Sequence, residues 1–264
     1  MNEKMKILRL LEEGKINAEE AARLLEAINE SETKKKRGFF MHGMESFSDM
    51  MSDMMGSIMN ASFKDHTATE KVEVSGKKKL QFKGISGDLE LNGIDTAEFV
   101  IRKDGIAKIL EEGDALLVKT ISGDVTIDVP KKIDIEVKGI SGNLTLNNID
   151  GKIEIKSVSG DIDGKGLSGI FEGEFVFGDV ELEYERVDGI DIRARSGDVI
   201  LRIDDSVEAE IELTSVRGSV RCDLALKNAT EKPNYLRGIL NAPESKIEIK
   251  NNHGNVILER KQKK

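Results

Sequence analysis

The sequence predicts a mainly β protein: a β-solenoid (β-helix) of about ten coils with a period near 18 residues, preceded by a small N-terminal α-helical hairpin and an amphipathic methionine-rich segment. Three observations predict it. A glycine, most often preceded by serine and followed by Asp or Asn, recurs at Gly87, Gly105, Gly123, Gly142, Gly160, Gly178, Gly197, Gly218, Gly238 and Gly254, with successive spacings of 18, 18, 19, 18, 18, 19, 21, 20 and 16. Apolar residues alternate with polar ones on both sides of these glycines, as in Ile153-Glu154-Ile155 and Leu144-Thr145-Leu146, the period-two pattern of a half-buried strand. The first thirty residues carry a helical spacing instead.

The helical hairpin is placed at residues 1–30. Met5, Leu8 and Leu11 recur at spacing three, and Ala21, Leu24, Leu25 and Ile28 at three and four, with Gly14 between the two runs. Asn17 followed by Glu20 reads as an N-cap with its capping-box partner. Helices this short are marginal alone, so they must dock on something.

Residues 31–68 form a basic and methionine-rich linker. Lys34-Lys35-Lys36-Arg37 precede Phe39 and Phe40, and seven of the nine methionines fall between Met41 and Met59. Phe47, Met51, Met54 and Ile58 share one helical face, a soft apolar stripe suited to a partner, to self-association through residues 1–60, or to peripheral contact with a membrane. Glu45, Asp49 and Asp53 on the opposite face count against anionic lipid.

The repeat domain occupies residues 69–264. A single repeat buries too little to stand alone, whereas stacked copies share aliphatic rows and backbone hydrogen bonds. Glycine at the marker relieves a positive-φ corner, and a short polar side chain after it bonds turn backbone. The expected structural turn ladder is therefore Gly87, Asp88, Gly123, Asp124, Gly142, Asn143, Gly160, Asp161, Gly178, Asp179, Gly197, Asp198, Gly254 and Asn255. Gly105 and Gly238 are placed by spacing more than by wording. An antiparallel arrangement with Ser-Gly as a hairpin turn is the alternative; a repeat of 18 residues is too short for a propeller blade of ~40. Residues 225–245, with Pro233, Pro243 and Tyr235, interrupt the pattern and read as a protruding loop or a C-terminal cap.

The composition narrows the function. A net charge of -9 with 34% charged residues gives nucleic acid no basic stripe. One cysteine, Cys222, excludes an internal disulfide framework, and no stretch approaches 18 apolar residues or forms a cleavable leader. A cytoplasmic chain, peripheral at the inner membrane surface at most, is expected, with the cell surface as the alternative. His42, His66 and His253 lie apart in sequence, so no catalytic constellation, metal site or cofactor is expected. One carboxylate per 18 residues is sparse for a calcium-binding β-roll, and two tyrosines with no tryptophan offer little platform for the sugars of a polysaccharide-active β-helix. A non-enzymatic scaffold or regulatory interaction protein with protein partners is the leading expectation. A surface adhesin or ligand-binding module for wall polymer or cationic peptide is the alternative.

The opening stretch ILRLLEEGKINAEEAARLLEAI and the Ser-Gly-Asp repeats together resemble the YvlB/LiaX-type family of bacterial envelope proteins. In that family a short helical hairpin precedes a β-strand-repeat "putative adhesin" domain. The resemblance spans residues 1–28 and 69 to the end, and omits the methionine-rich middle. It implies a β-helical repeat domain, an association with the envelope stress response, and no catalytic residue to carry over.

Overall fold

The structure, a computed structural model, describes residues 3–12, 21, 25, 64–65, 68–73 and 77–262. The helix α1 (Glu3–Glu12) buries Ile7 and exposes Met5 and Leu8. Of the second helix of the expected hairpin only Ala21, which is buried, and Leu25 are described; the contact residues Phe47, Met51, Met54 and Ile58 lie outside the described residues.

Strands dominate the rest. The chain enters through β1 (Lys64–Asp65) and β2 (Ala68–Glu73), followed by β3 (Lys79–Gly84) and β4 (Leu89–Ile94). Then come β5 (Glu98–Lys103), β6 (Ile106–Glu112), β7 (Ala115–Ser122) and β8 (Val125–Pro130). β9 (Asp134–Ser141) and β10 (Leu144–Asn147) lead into β11 (Asp150–Ser159), β12 (Ile162–Phe177) and β13 (Val180–Ser196). The chain ends with β14 (Val199–Ile203), β15 (Ala209–Arg217), β16 (Val220–Cys222), β17 (Lys227–Lys232), β18 (Tyr235–Leu240), β19 (Ser245–His253) and β20 (Val256–Arg260).

These strands build two parallel ladders. The first runs β7–β3–β9–β11–β12–β13–β19–β15. The second runs β8–β4–β10–β12–β13–β14–β20–β16. β12 and β13 serve both, their first residues in the second ladder and their last in the first. Each glycine corner joins a strand of the first ladder to one of the second, and the sheet stays open rather than closing into a barrel. The antiparallel reading of the corners falls away, because the strands flanking them pair in parallel with neighbouring repeats.

Eight parallel layers are counted among the described residues, with antiparallel strands beyond them at both ends. Gly105, with φ of 125°, stacks on the Gly123 corner and turns between β5 and β6, which pair antiparallel with β8 and β7. Gly238 is not a corner of the stack; it lies inside β18, which pairs antiparallel with β15. At ~4.8 Å per strand, eight layers rise about 34 Å.

The layers are also stacked out of sequence order at both ends. β3 and β4 lie between β7/β8 and β9/β10, and β19 and β20 lie between β13/β14 and β15/β16. At one end the inner layer β3/β4 is made first, then the antiparallel strands β5 and β6, then the outer layer β7/β8; at the other the outer layer β15/β16 and the antiparallel hairpin β17–β18 come before the inner layer β19/β20. β2 pairs with β5 and β1 with β6 beyond one end; β17 pairs with β18 beyond the other. The whole of β17, Lys-Asn-Ala-Thr-Glu-Lys, is exposed, and charges on an edge strand discourage further pairing.

Aliphatic rows fill the interior. Leu80, Ile135, Ile153 and Ile190 belong to one row of the first ladder, and Leu91, Leu146, Leu182 and Leu201 to one row of the second; all are at most 3% exposed. Where the neighbouring row, that of Ile155 and Ile192, reaches Gly173, Phe171 and Phe175 lean over it, their rings 6.3 Å apart. Phe171 meets Tyr184 edge-on at 6.4 Å, and the Tyr184 hydroxyl, fully buried, has no hydrogen-bond partner. Burial pushes that phenol well above its ordinary range.

Candidate functional site

Corner glycines stack directly on one another. A Cβ on Gly142 would sit 2.0 Å from the Gly87 carbonyl oxygen, and one on Gly178 would sit 2.1 Å from that of Gly160. The corners at Gly87, Gly123, Gly142, Gly160, Gly178, Gly197 and Gly254 all have φ between 95° and 130°, a region other residues avoid.

Beside this column runs a chain of side-chain hydrogen bonds. The Asp88 amide donates to Asp124 Oδ1 (2.9 Å), and the Asn143 amide to Asp88 Oδ1 (2.7 Å). The Asp161 amide donates to Asn143 Oδ1 (3.0 Å), Asp179 to Asp161 (2.9 Å) and Asp198 to Asp179 (2.7 Å). Asn255 then donates to Asp198 (2.7 Å), and Ser219 to Asn255 (3.1 Å). Every layer is thus tied to the next by an oxygen bonded to backbone. Ser219, which closes the series, is the member that sequence reasoning left out; its wording, Arg-Gly-Ser, lacks the acidic residue that marks the others.

Five carboxylates share the column: Asp124, Asp88, Asp161, Asp179 and Asp198. Neighbouring unit charges ~4.8 Å apart repel by about 0.9 kcal/mol in water. Asn143 divides the column into a pair and a triplet, keeping the hydrogen bond while removing one charge. Asp124, Asp88, Asp161 and Asp179 are exposed, so their second oxygens face solvent as an anionic ridge.

The outer face of the first ladder carries charge in rows. Glu136, Glu154, Glu172, Asp191, Glu248 and Glu212 fall in one register row. Two residues further along each strand, Lys119, Lys83, Lys138 and Lys156 begin a basic row that continues through Glu174 to Arg193 and Lys250. Glu136 accepts from Lys79, Lys138 and Gln81, and Glu248 from Lys246 and Lys250. Burial alone would raise Glu136, but its three donors outweigh that and hold it at about 2. Its two lysines, against a smaller opposing effect of burial, likewise hold Glu248 at about 2.

Both carboxyls lie below their ordinary value of 4.5, so the stability they contribute is complete above that pH and is lost as pH falls toward 2. Allowing for screening at partly exposed lysines, the loss is about 1–2 kcal/mol for each. Urea midpoints at pH 6 and pH 3 are expected to drop less in Glu136→Gln/Glu248→Gln than in the parent chain. An equal drop in both would assign acid sensitivity elsewhere.

Among the described residues no group of His, Cys, Asp and Glu is placed to hold a metal ion, and none of the described helices is long and apolar enough to cross a membrane. His253 sits in the corner row, its Nε2 accepting from Arg217 Nη1 at 3.0 Å. Cys222, half-buried in β16, has a thiol pushed up chiefly by burial.

Comparison with known proteins places this geometry. A family model described as Toastrack DUF4097 matches residues 32–259, and a second, described as a SHOCT-like domain, matches residues 2–33. A solved structure named a "putative cell adhesion protein" from Clostridium sporogenes is similar over 75% of this chain and 100% of its own, at 16% identity and a TM-score of 0.46. One named a "putative adhesin" from Bacteroides fragilis aligns over 74% of this chain and 98% of its own, at 11% identity and a TM-score of 0.31. No curated protein matches the chain.

Proposed function

The chain belongs to the Toastrack DUF4097 family, and from that premise we propose that it is a non-enzymatic scaffold and regulatory interaction protein that engages protein partners through the charged exterior of its repeat stack. The anionic corner ridge carries this reading. Its carboxylates are spaced one strand apart and tethered to backbone in the neighbouring layer, so an extended cationic partner meets charges already in place. Preorganisation of that kind lowers the ordering cost of binding, and the charge pattern selects the sign of the partner.

Linkage to the bacterial envelope stress response, with the protein in the cytoplasm or at the inner membrane surface, is the finer part of the proposal. It is supported by the resemblance to YvlB/LiaX-type proteins and by the SHOCT-like match at residues 2–33. A surface adhesin or ligand-binding module for wall polymer or cationic peptide would use the same ridge from outside the cell, and cell fractionation separates the two.

The test is titration of the full chain with a fluorescent lysine-rich peptide, beside Asp161→Asn/Asp179→Asn/Asp198→Asn. Asparagine keeps the ladder acceptor, as Asn143 does, and removes only charge. Binding that weakens with salt and falls at least about tenfold in the variant is expected; the same affinity in both proteins rejects the ridge as the contact surface.

A further inference from the structure

The last layer of the chain is not the outermost of the stack. β19 and β20 sit between β13/β14 and β15/β16, so both walls of their position are made from residues that precede them. Only residues 241–244 tie this layer to β18. Its fit is complete on both sides. Ile247, Ile249, Val256 and Leu258 are 0% exposed. On one side the Gly197 amide donates to the His253 carbonyl (3.1 Å) and Asn251 Nδ2 to the Gly197 carbonyl (2.7 Å). On the other the Gly254 amide donates to the Arg217 carbonyl (3.0 Å) and Ser215 Oγ to the Gly254 carbonyl (2.7 Å). None of these contacts depends on which chain supplies the layer.

We propose that the position between β13/β14 and β15/β16 is a binding site for residues 245–260 of a second copy of this chain, so that two copies exchange their last layers and form a two-fold dimer. The exchanged and closed forms share every contact of the layer, and they differ only at the hinge and in the cost of association. An exchanged dimer also keeps the corner ridge whole on both stacks, since Asn255 meets Asp198 and Ser219 whichever chain supplies it.

The hinge sets the balance. Asn241 is held at φ 57°, the left-handed region that a non-glycine residue occupies at a cost, and a straightened connector releases it. Pro243 disfavours a helical turn at Ala242, which suits the straightened form. Against this, Asn241 Nδ2 latches the closed turn by donating to the carbonyls of Asp205 (2.9 Å) and Val207 (2.8 Å), and Lys227 Nζ donates to the Asn241 carbonyl (2.9 Å). A short tether holds the layer at an effective concentration on the order of 1 mM, so the closed chain dominates in dilute solution and exchange rises as the protein approaches that concentration.

Cysteine cross-linking between full chains tests it. Arg193 of β13 and Lys250 of β19 are register partners with half-exposed side chains, and neighbouring strands bring Cα atoms within disulfide range. In a Cys222→Ser background, one chain carries Arg193→Cys and the other Lys250→Cys. Equal amounts unfolded together in urea, refolded at about 1 mM and mildly oxidised are expected to give a linked dimer whose yield rises with protein concentration, while the same chains refolded apart and then mixed stay unlinked. A Glu174→Cys chain with an Arg193→Cys chain is the control, because β12 and β13 come from one chain in either form. Asn241→Val, which removes the latch and places a β-branched residue at positive φ, should lower the concentration needed for exchange at least about tenfold. No link between positions 193 and 250 at about 1 mM, the same yield from the control pair, or a concentration dependence unmoved by Asn241→Val overturns the proposal.

Discussion

Ending the chain at Asn241 is expected to disorder far more than the residues it removes. Those residues hold β19 and β20, the layer inserted between β13/β14 and β15/β16. Their interior members Ile247, Ile249, Val256 and Leu258 are all 0% exposed, and burying four such side chains is worth about 6–12 kcal/mol. Without them β15 keeps only the β17–β18 hairpin, too small a sheet to be stable by itself. Residues 205–241 should then exchange their amides freely, and a chain ending at Asp204 should unfold at the same urea concentration as one ending at Asn241. Protected amides in β15 of the longer chain would falsify the stacking order. Were the layers stacked in sequence order, the shorter deletion would instead remove an outermost layer, and the rest would survive it.

That order was not legible in the sequence, although the corners were. Ser-Gly-Asp and the flanking Ile and Val alternation state how one layer is made, and the fourteen ladder residues occupy seven consecutive corners. Wording that makes each layer alike also leaves any layer able to stack on any other. Connectors decide the neighbour: residues 204–208 carry the chain past a vacant layer position that β19 and β20 later fill, and residues 131–133 carry it past the layer already made by β3 and β4. The spacings of 21, 20 and 16 after Gly197 are the trace of this in the sequence, and they read there only as decay of the repeat. Gly238 fits the period by count while sitting in the β17–β18 hairpin. Four buried residues beside the corners, none of them in the interior cluster, were hidden for a different reason. Ile85, Ile121, Val158 and Val176 each directly precede a Ser-Gly or Phe-Gly corner and look like the last interior residue of a strand. Counting in twos from Ile153 and Ile155 puts residue 157 inside and Val158 outside.

Substituting Gly160 by alanine is expected to cost about 3–5 kcal/mol, whereas the same substitution at Gly139 is expected to stabilise, and the contrast isolates what the corner requires. At Gly160 φ is 128° and a Cβ would lie 1.9 Å from the Gly142 carbonyl oxygen and 2.5 Å from its carbon. Backbone strain of that kind is worth about 1–3 kcal/mol. The remainder is overpacking, about 1–3 kcal/mol, because backbone in the adjacent layer must move to admit a methyl group. Displacing Gly142 also lengthens the bond from Asp161 to Asn143, so damage spreads along the ladder rather than staying in one layer. At Gly139 none of this applies. Its φ lies outside the left-handed region, the nearest atom to a Cβ is Ser157 Oγ at 4.0 Å, and it lines a void of about 20 Å³ with Gly84 and Ser157. A methyl group there fills space and reduces the freedom of the unfolded chain, for a gain of about 0.4–1 kcal/mol. Urea denaturation of the two variants beside the parent should therefore move the midpoint in opposite directions. Two shifts of the same sign would mean that glycine serves this repeat through chain flexibility, and that the carbonyl-to-glycine stacking at the corners is not what fixes the spacing of its layers.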